Sequence, residues 1–198
     1  MKKLLIAIVL ILFVFAGAFL LFNFRIMQSQ TASDSTTATS KAGLEQSEAW
    51  TFQPENTGLY VEGEYRYLQP LRDRLAQLLD HQPILGSISA INLPSDKADI
   101  PVIYVEVKQQ KRTWTPFYAT SALEVVIDYA SNGDVSFRNT DPVSFLNTSN
   151  QPAIRYQANY SIADRSVGLI STRGYDDYLV SLIADAVQKS LQEQINTN

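Results

Sequence analysis

The sequence predicts an α+β domain: an antiparallel sheet of about six strands packed by an N-terminal and a C-terminal helix, preceded by one transmembrane helix. Three observations predict it. Leu4 to Phe22 is an uncharged, almost wholly apolar run. Several later segments alternate apolar and polar residues with a period of two. Two others, one before and one after them, place leucines and isoleucines at helical spacing.

The apolar run comes first. Its 19 residues are interrupted only by Gly17. At about 1.5 Å per residue a helix of that length reaches roughly 28 Å, near the thickness of a bilayer core. Lys2 and Lys3 precede it and Arg25 follows it. That bias keeps the N-terminus cytoplasmic and exports the rest. Residues 1–27 are therefore expected to be a signal anchor, single-pass in the plasma (inner) membrane. Ala16-Gly17-Ala18 matches a cleavage pattern. However, cleavage there would leave Phe19, Leu20, Leu21 and Phe22 on a secreted N-terminus, so an uncleaved anchor is preferred.

Residues 28–49 contain nine Ser or Thr and only five apolar residues. Such a stretch has little to bury, and a mobile tether is expected, with an r.m.s. reach of roughly 25 Å. Residues 50–198 contain 63 apolar residues in 149, enough for one folded unit outside the cytoplasm. No regular internal repeat is evident.

Within that unit a strand is expected at Gly58–Gly63. Leu68, Leu71, Leu75, Leu78 and Leu79 set a helix at about 68–81, with Pro70 in its first turn and Pro83 past its end. Ile84–Asn92 reads as a weak strand and Pro101–Gln109 as a strong one. Lys111–Thr120 reads as another, edge or bulged because of Pro116. Leu123, Val125, Ile127 and Tyr129 share one face of the next. A turn at Ser131-Asn132-Gly133, with Gly133 left-handed, would pair Tyr129 with Val135 and Ile127 with Phe137. Asn139–Pro152 reads as a long loop.

Ala153–Ala163 alternates most clearly, and a turn at Asp164-Arg165 would pair Ile162 with Val167 and Tyr160 with Leu169. A final helix is expected from about Asp176 to Ile195, with Leu179, Leu182, Ile183, Ala186, Val187, Leu191 and Ile195 in one stripe. Asp176 and Asp177 suit its N-terminal end, and Asp185–Lys189 has i,i+4 spacing.

Charge and composition narrow the chemistry. The chain carries 16 basic and 20 acidic residues, a net of −4. Residues 44–198 alone carry 12 basic and 19 acidic residues, a net of −7. That balance is opposite to a nucleic-acid footprint. There is no Cys and one His. Disulfides, thiolate metal sites, Cys nucleophiles and lipidated cysteines are excluded, and no cofactor or metal is expected. No P-loop, EF-hand, dinucleotide or nucleophile-elbow pattern occurs.

His81, at the expected helix end, reads as a structural histidine. Glu62 and Glu64 are the carboxylates a hydrolase reading would need, although adjacent exposed acids at a strand end explain them better. No residue is assigned a catalytic role. Asn147-Thr148-Ser149 and Asn159-Tyr160-Ser161 match glycosylation sequons.

Two constellations remain. Lys108, Lys111 and Arg112 meet Trp114, Phe117 and Tyr118 around an expected hairpin tip. Such a mixture suits a protein partner, a glycan or anionic headgroups, although an exposed turn whose aromatics fold back on the core is the favoured reading, because strand aromatics usually pack. Tyr156 and Tyr160 face the same way as the Ile183–Val187 stripe of the last helix, a lining that suits either a core or an apolar pocket.

In its format of anchor, polar tether and compact sheet–helix domain, the chain is similar to small bacterial envelope proteins that assist transport or assembly complexes. The terminal helix after antiparallel strands resembles the outer-membrane lipoprotein of the lipopolysaccharide-assembly machine and the auxiliary lipoproteins of lipid-transport systems. Those carry a lipidated Cys that this chain lacks. The resemblance covers architecture and transfers no residue. The expected function is a non-enzymatic, membrane-anchored extracytoplasmic adaptor that binds a protein partner in an envelope complex. A lipid or apolar-ligand carrier is the alternative, and a carboxylate-dependent hydrolase a second.

Overall fold

The computed structural model describes residues 2–21, 25–42, 55–80, 82, 85–92, 97–139 and 153–196. In chain order these form helix α1 (Lys2–Leu21), strand β1 (Arg25–Ala42), β2 (Asn56–Gly63), helix α2 (Tyr65–Leu79), β3 (Ser87–Ala90), β4 (Val102–Thr115), β5 (Tyr118–Ala130), a 3-10 turn (Ser136–Asn139), β6 (Ala153–Ile170) and helix α3 (Thr172–Asn196). The strands make one six-stranded sheet in the order β1-β6-β5-β4-β2-β3. The α+β class and the six strands match expectation.

The all-antiparallel sheet does not. β2 pairs in parallel with both β3 and β4. Between β2 and β3 the connection is α2, a helical crossover that returns the chain to the same end of the sheet. The other pairs, β4–β5, β5–β6 and β6–β1, are antiparallel.

The segment read as a mobile tether is also different. Arg25–Ala42 is an 18-residue edge strand, paired with β6 from Arg25↔Ile170 to Ala42↔Ala153. Apolar scarcity does not prevent this. An edge strand is stabilised by its backbone ladder, and Thr and Ser suit a half-exposed pleat. Side chains add to it: Ser29 and Ser166 hydroxyls hydrogen-bond at 2.9 Å, and Thr31 donates to Asp164 at 3.2 Å. The folded unit therefore includes residues 25–42 as well as the region from residue 55.

β6 runs straight through Asp164-Arg165, where the sequence reads as a turn. Both of its edges are occupied, so Ile162 faces Leu123 and Ser33, and Tyr160 faces Val125 and Ser35. The turn at Ser131–Gly133 does form, with Gly133 at φ +73°. No hairpin follows it, because β4 and β6 already flank β5: Tyr129 faces Ile103 and Tyr156, and Ile127 faces Val105 and Ala158. Val135 and Phe137 instead bury on the outer face of the sheet beside Val102, Tyr104 and Ala130.

α2 and α3 both pack on the opposite, inner face. Leu71, Leu75 and Leu79 of α2 and Leu179, Ile183 and Val187 of α3 close one core over Ile103, Val105, Val125 and Ile127. Each such leucine contributes roughly 1.5–3 kcal/mol by leaving water. α2 begins three residues before the expected start, so Pro70 lies inside it rather than in its first turn. α3 begins at Thr172. Its N-cap is Ser171, whose hydroxyl accepts the Gly174 N–H at 3.0 Å, not the aspartates at 176 and 177. Within α3 the i,i+4 ion pair is Lys189–Glu193 at 3.7 Å rather than Asp185–Lys189.

The side chains of α1 are described over residues 3–17, and among the described residues no helix is long and apolar enough to cross a membrane. His81, the loop at 140–152, the Asn147 sequon and the Ile195 side chain lie outside the described residues.

Gly168 tests the placement of β1. It has φ +146°, and a Cβ there would strike the Ile26 carbonyl oxygen and come within 2.7 Å of Met27 Cα. Gly168→Ala is expected to cost about 2 kcal/mol in urea denaturation and to accelerate amide exchange over Arg25–Ser29. Unchanged exchange there would contradict the β1–β6 pairing.

Candidate functional site

The Lys108–Tyr118 segment is sorted by a bulge. Gln109 pairs with Leu123 and Lys111 with Ala122, so Gln110 is an extra residue in β4. One extra residue moves every later side chain to the other face. Without it Lys111 would point at the helices; with it, Arg112 and Trp114 do. Arg112 Nη2 lies 2.6 Å from Asp176 Oδ1, and its guanidinium carbon sits over the Tyr175 ring at 5.8 Å. Trp114 packs against the main core.

Lys108 stays outside, paired with Glu106 at 3.1 Å, and Lys111 is exposed on the same face. The hairpin tip is Pro116–Phe117, closed by Thr115 Oγ1, which accepts the Tyr118 N–H at 3.0 Å. Phe117 is exposed and Tyr118 lies under Arg165 at 5.7 Å. The six expected contact residues thus divide between two faces and a tip.

The inner face holds a polar cluster that composition does not reveal. Asp164, buried on β6, is the shared acceptor. Its Oδ2 takes hydrogen bonds from Tyr175 and Ser166, both at 2.9 Å. Its Oδ1 takes them from Tyr178 at 3.1 Å and Thr31 at 3.2 Å. Burial pushes the Tyr175 hydroxyl well above the usual tyrosine range, and the Asp164 carboxylate beside it pushes the same way.

Next to this, the Tyr67 hydroxyl lies 3.0 Å from the Gln109 amide. With the amide oxygen toward Tyr67, its nitrogen donates to Glu64 at 3.1 Å, which satisfies both ends. Burial raises Tyr67 as well.

The Arg112–Asp176 contact is short but not aligned as a hydrogen bond. Burial therefore outweighs attraction and pushes the Asp176 carboxyl up to about 6, with Arg66 lowering it and Asp177 and Glu64 raising it.

Tyr156, Tyr160, Ile183 and Val187 do come together, all buried in the main core. The Tyr156 hydroxyl meets Ser190 Oγ on α3, and burial pushes it up to about 12. Among the described residues, three concavities lie away from these four side chains' shared core and are lined by residues outside α3. One of about 320 Å³ on the outer face includes Asp34, Gln110, Glu124 and Asn159, with Tyr160 at its border. A second of about 400 Å³ lies between Tyr60, Arg72 and Ile91, and a third beside Gln28, Gln30, Arg165 and Val167.

The acids of the hydrolase reading are separately engaged. Glu62 accepts from the Tyr104 hydroxyl at 2.8 Å, and Glu64, at the N-cap of α2, pairs with Arg66 at 3.2 Å. Among the described residues no group of three or more His, Cys, Asp or Glu is placed to hold a metal ion.

At the far end of the outer face, Asp134 lies 3.4 Å from Lys97 and 3.8 Å from buried Arg155, and accepts the Ser136 N–H at 3.1 Å. Burial alone would raise it. The Ser136 hydrogen bonds and Lys97 together outweigh that and leave it lowered.

Asp164 has a signal in the sequence. It continues the 154, 156, 158, 160, 162 series and so falls on the core face. A carboxylate there requires donors, and those come from Tyr175 and Tyr178, eleven and fourteen residues on.

No protein-family model matches the chain, and no curated protein matches it. Among solved structures, a dodecamer of a PelC point variant from Paraburkholderia phytofirmans is similar at 12% identity and a TM-score of 0.37, over 82% of this chain and 98% of that one. That likeness is too distant to transfer a fold or a role.

Asp164→Ala leaves buried hydroxyls without an acceptor and is expected to cost about 3 kcal/mol in urea denaturation. Asp176 sets a pH dependence. Its folded carboxyl titrates near 6 against an ordinary 3.8, so the folded state holds the extra proton between those values. Relative to Asp176→Asn, the wild type is expected to lose stability as pH rises from about 4 to about 6. A wild-type-minus-variant difference that is flat or of the opposite sign in that window would contradict the assignment.

Proposed function

We propose that the chain is a single-pass, membrane-anchored adaptor whose sheet lies outside the cytoplasm and pairs with a protein partner in an envelope complex. The observation that carries the reading is β1. It is an 18-residue strand at the edge of the sheet, paired on one side with β6. It has no proline, an unbroken register against β6, and only three charges in 18 residues, Arg25, Asp34 and Lys41. Edge strands usually carry prolines, bulges or dense charge that prevent pairing, and a long strand with no proline or bulge and few charges is a template for strand addition.

The anchor rests on residues 4–22, uncharged and led by Lys2 and Lys3. In α1, Leu4 to Phe15 point outward rather than into the domain core. A helix that is apolar all round calls for an apolar surrounding. The non-catalytic part of the reading is supported by the polar cluster. Its carboxylate is saturated with hydroxyl donors, and its tyrosines are pushed away from the range of acid–base work.

Thr36 and Thr37 are consecutive, so one turns its N–H toward β6 and the other away. Proline at the outward one leaves the β1–β6 ladder intact. Of Thr36→Pro and Thr37→Pro, one is expected to melt like the wild type yet lose about tenfold in partner recovered by cross-linking in membranes. Full recovery by that folded variant would rule out the edge. The wild-type chain is expected to stay in the pellet after an alkaline membrane wash, and Leu10→Lys with Leu12→Lys to release it.

A further inference from the structure

Outside α1, four large apolar side chains are prominently exposed among the described residues: Ile26 at 70%, Phe117 at 63%, Val167 at 51% and Leu169 at 40%. All four lie at one corner of the sheet. Ile26 pairs with Leu169, and Val167 pairs with Tyr118, so these side chains share the outer face. The Phe117 carbonyl accepts the Gly168 N–H at 3.0 Å, which sets the hairpin tip between Val167 and Leu169.

We propose that this corner seats in the headgroup layer of the membrane that holds α1, with Ile26, Phe117, Val167 and Leu169 dipping toward the acyl boundary and Arg165 against anionic headgroups. The proposal rests on the anchor reading above.

Chain continuity selects the occupant. Residues 22–24 alone separate Leu21 of α1 from Arg25 of β1. Four Cα steps reach at most about 14 Å. With β1 locked into the sheet there is no tether, so a membrane-spanning α1 delivers Ile26 to the bilayer surface.

Charge agrees. From this corner the outer face presents Arg165 and Lys111 before any acid. Its carboxylates, Asp34, Glu124 and Glu106, come further along the strands. The far end of the same face is covered by Val135 and Phe137, whereas Ile26, Val167 and Leu169 at the corner keep 40–70% of their surface exposed. Apolar side chains beside cations at the foot of an anchor match the chemistry of an anionic bilayer surface.

The chain has no native Cys, so single cysteines report position directly. Gln28→Cys lies beside the patch and Thr36→Cys lies up the same strand; both positions are exposed. The full chain, carrying a fluorescent label at one of these, is reconstituted into phosphatidylethanolamine–phosphatidylglycerol vesicles. Aqueous iodide is expected to quench the label at position 28 at least about threefold less than the label at 36. Phe117→Ser with Leu169→Ser, both solvent-facing changes, is expected to abolish the difference, and Arg165→Gln to reduce it.

Equal quenching at both positions in a chain that floats with the vesicles would overturn the seated corner and leave the anchor standing. A chain that does not float would overturn the anchor and this proposal together. Shielding found in native membranes but not in lipid vesicles would assign the patch to a protein partner and overturn the lipid reading.

Discussion

The fold depends on one buried carboxylate. Asp164 sits on the core face of β6, where an unpaired charge would be costly. Its four donors come from three elements: Thr31 of β1, Ser166 of β6 itself, and Tyr175 and Tyr178 of α3. Meeting that demand keeps β6 straight where the sequence Asp-Arg reads as a turn. It also holds the start of α3 against the sheet and gives the polar strand β1 a side-chain reason to be there. Apolar burial supplies the bulk of the cohesion, and this cluster fixes which elements meet.

The bulge at Gln110 is a second decision of the same kind. It turns Arg112 and Trp114 inward and leaves Lys108 and Lys111 outside. A basic, aromatic segment that looks like one contact surface is thereby divided. Arg112 becomes the partner of Asp176 and a cover for Tyr175, while Phe117 alone projects from the tip. Substituting Arg112 or Trp114 would therefore disturb packing before it tested recognition.

The outer face changes character along its length. One end is roofed by Val135 and Phe137 over Tyr104, with Asp134 bridging Lys97 and Arg155. The other end exposes Ile26, Phe117, Val167 and Leu169 and is close in chain to α1. Incorporating residues 25–42 into the sheet replaces a loose tether with a fixed edge. In the proposed setting that change brings the domain down to the membrane and presents β1 sideways to a partner.

Much of the architecture was legible in local pattern. The period of two over Val102–Gln109, Leu123–Tyr129 and Ala153–Ala163 and the helical spacing of α2 and α3 appear as read, because burying one face of an element imposes that period on its own residues. The separate strand read at Lys111–Thr120 is instead the end of β4 and the start of β5, split by the Pro116–Phe117 tip. The shared facing of Tyr156, Tyr160, Ile183 and Val187 was legible for the same reason, while their place in the packed core rather than a pocket came from the tertiary structure. Gly133 was legible because its turn needs a left-handed residue. Tertiary structure alone decided the parallel pairing of β2, the bulge, the passage of β6 through Asp164, and the recruitment of Arg25–Ala42 as a strand. Each depends on backbone hydrogen bonds or charge partners supplied by residues distant in sequence, and those leave no period in the segment that receives them.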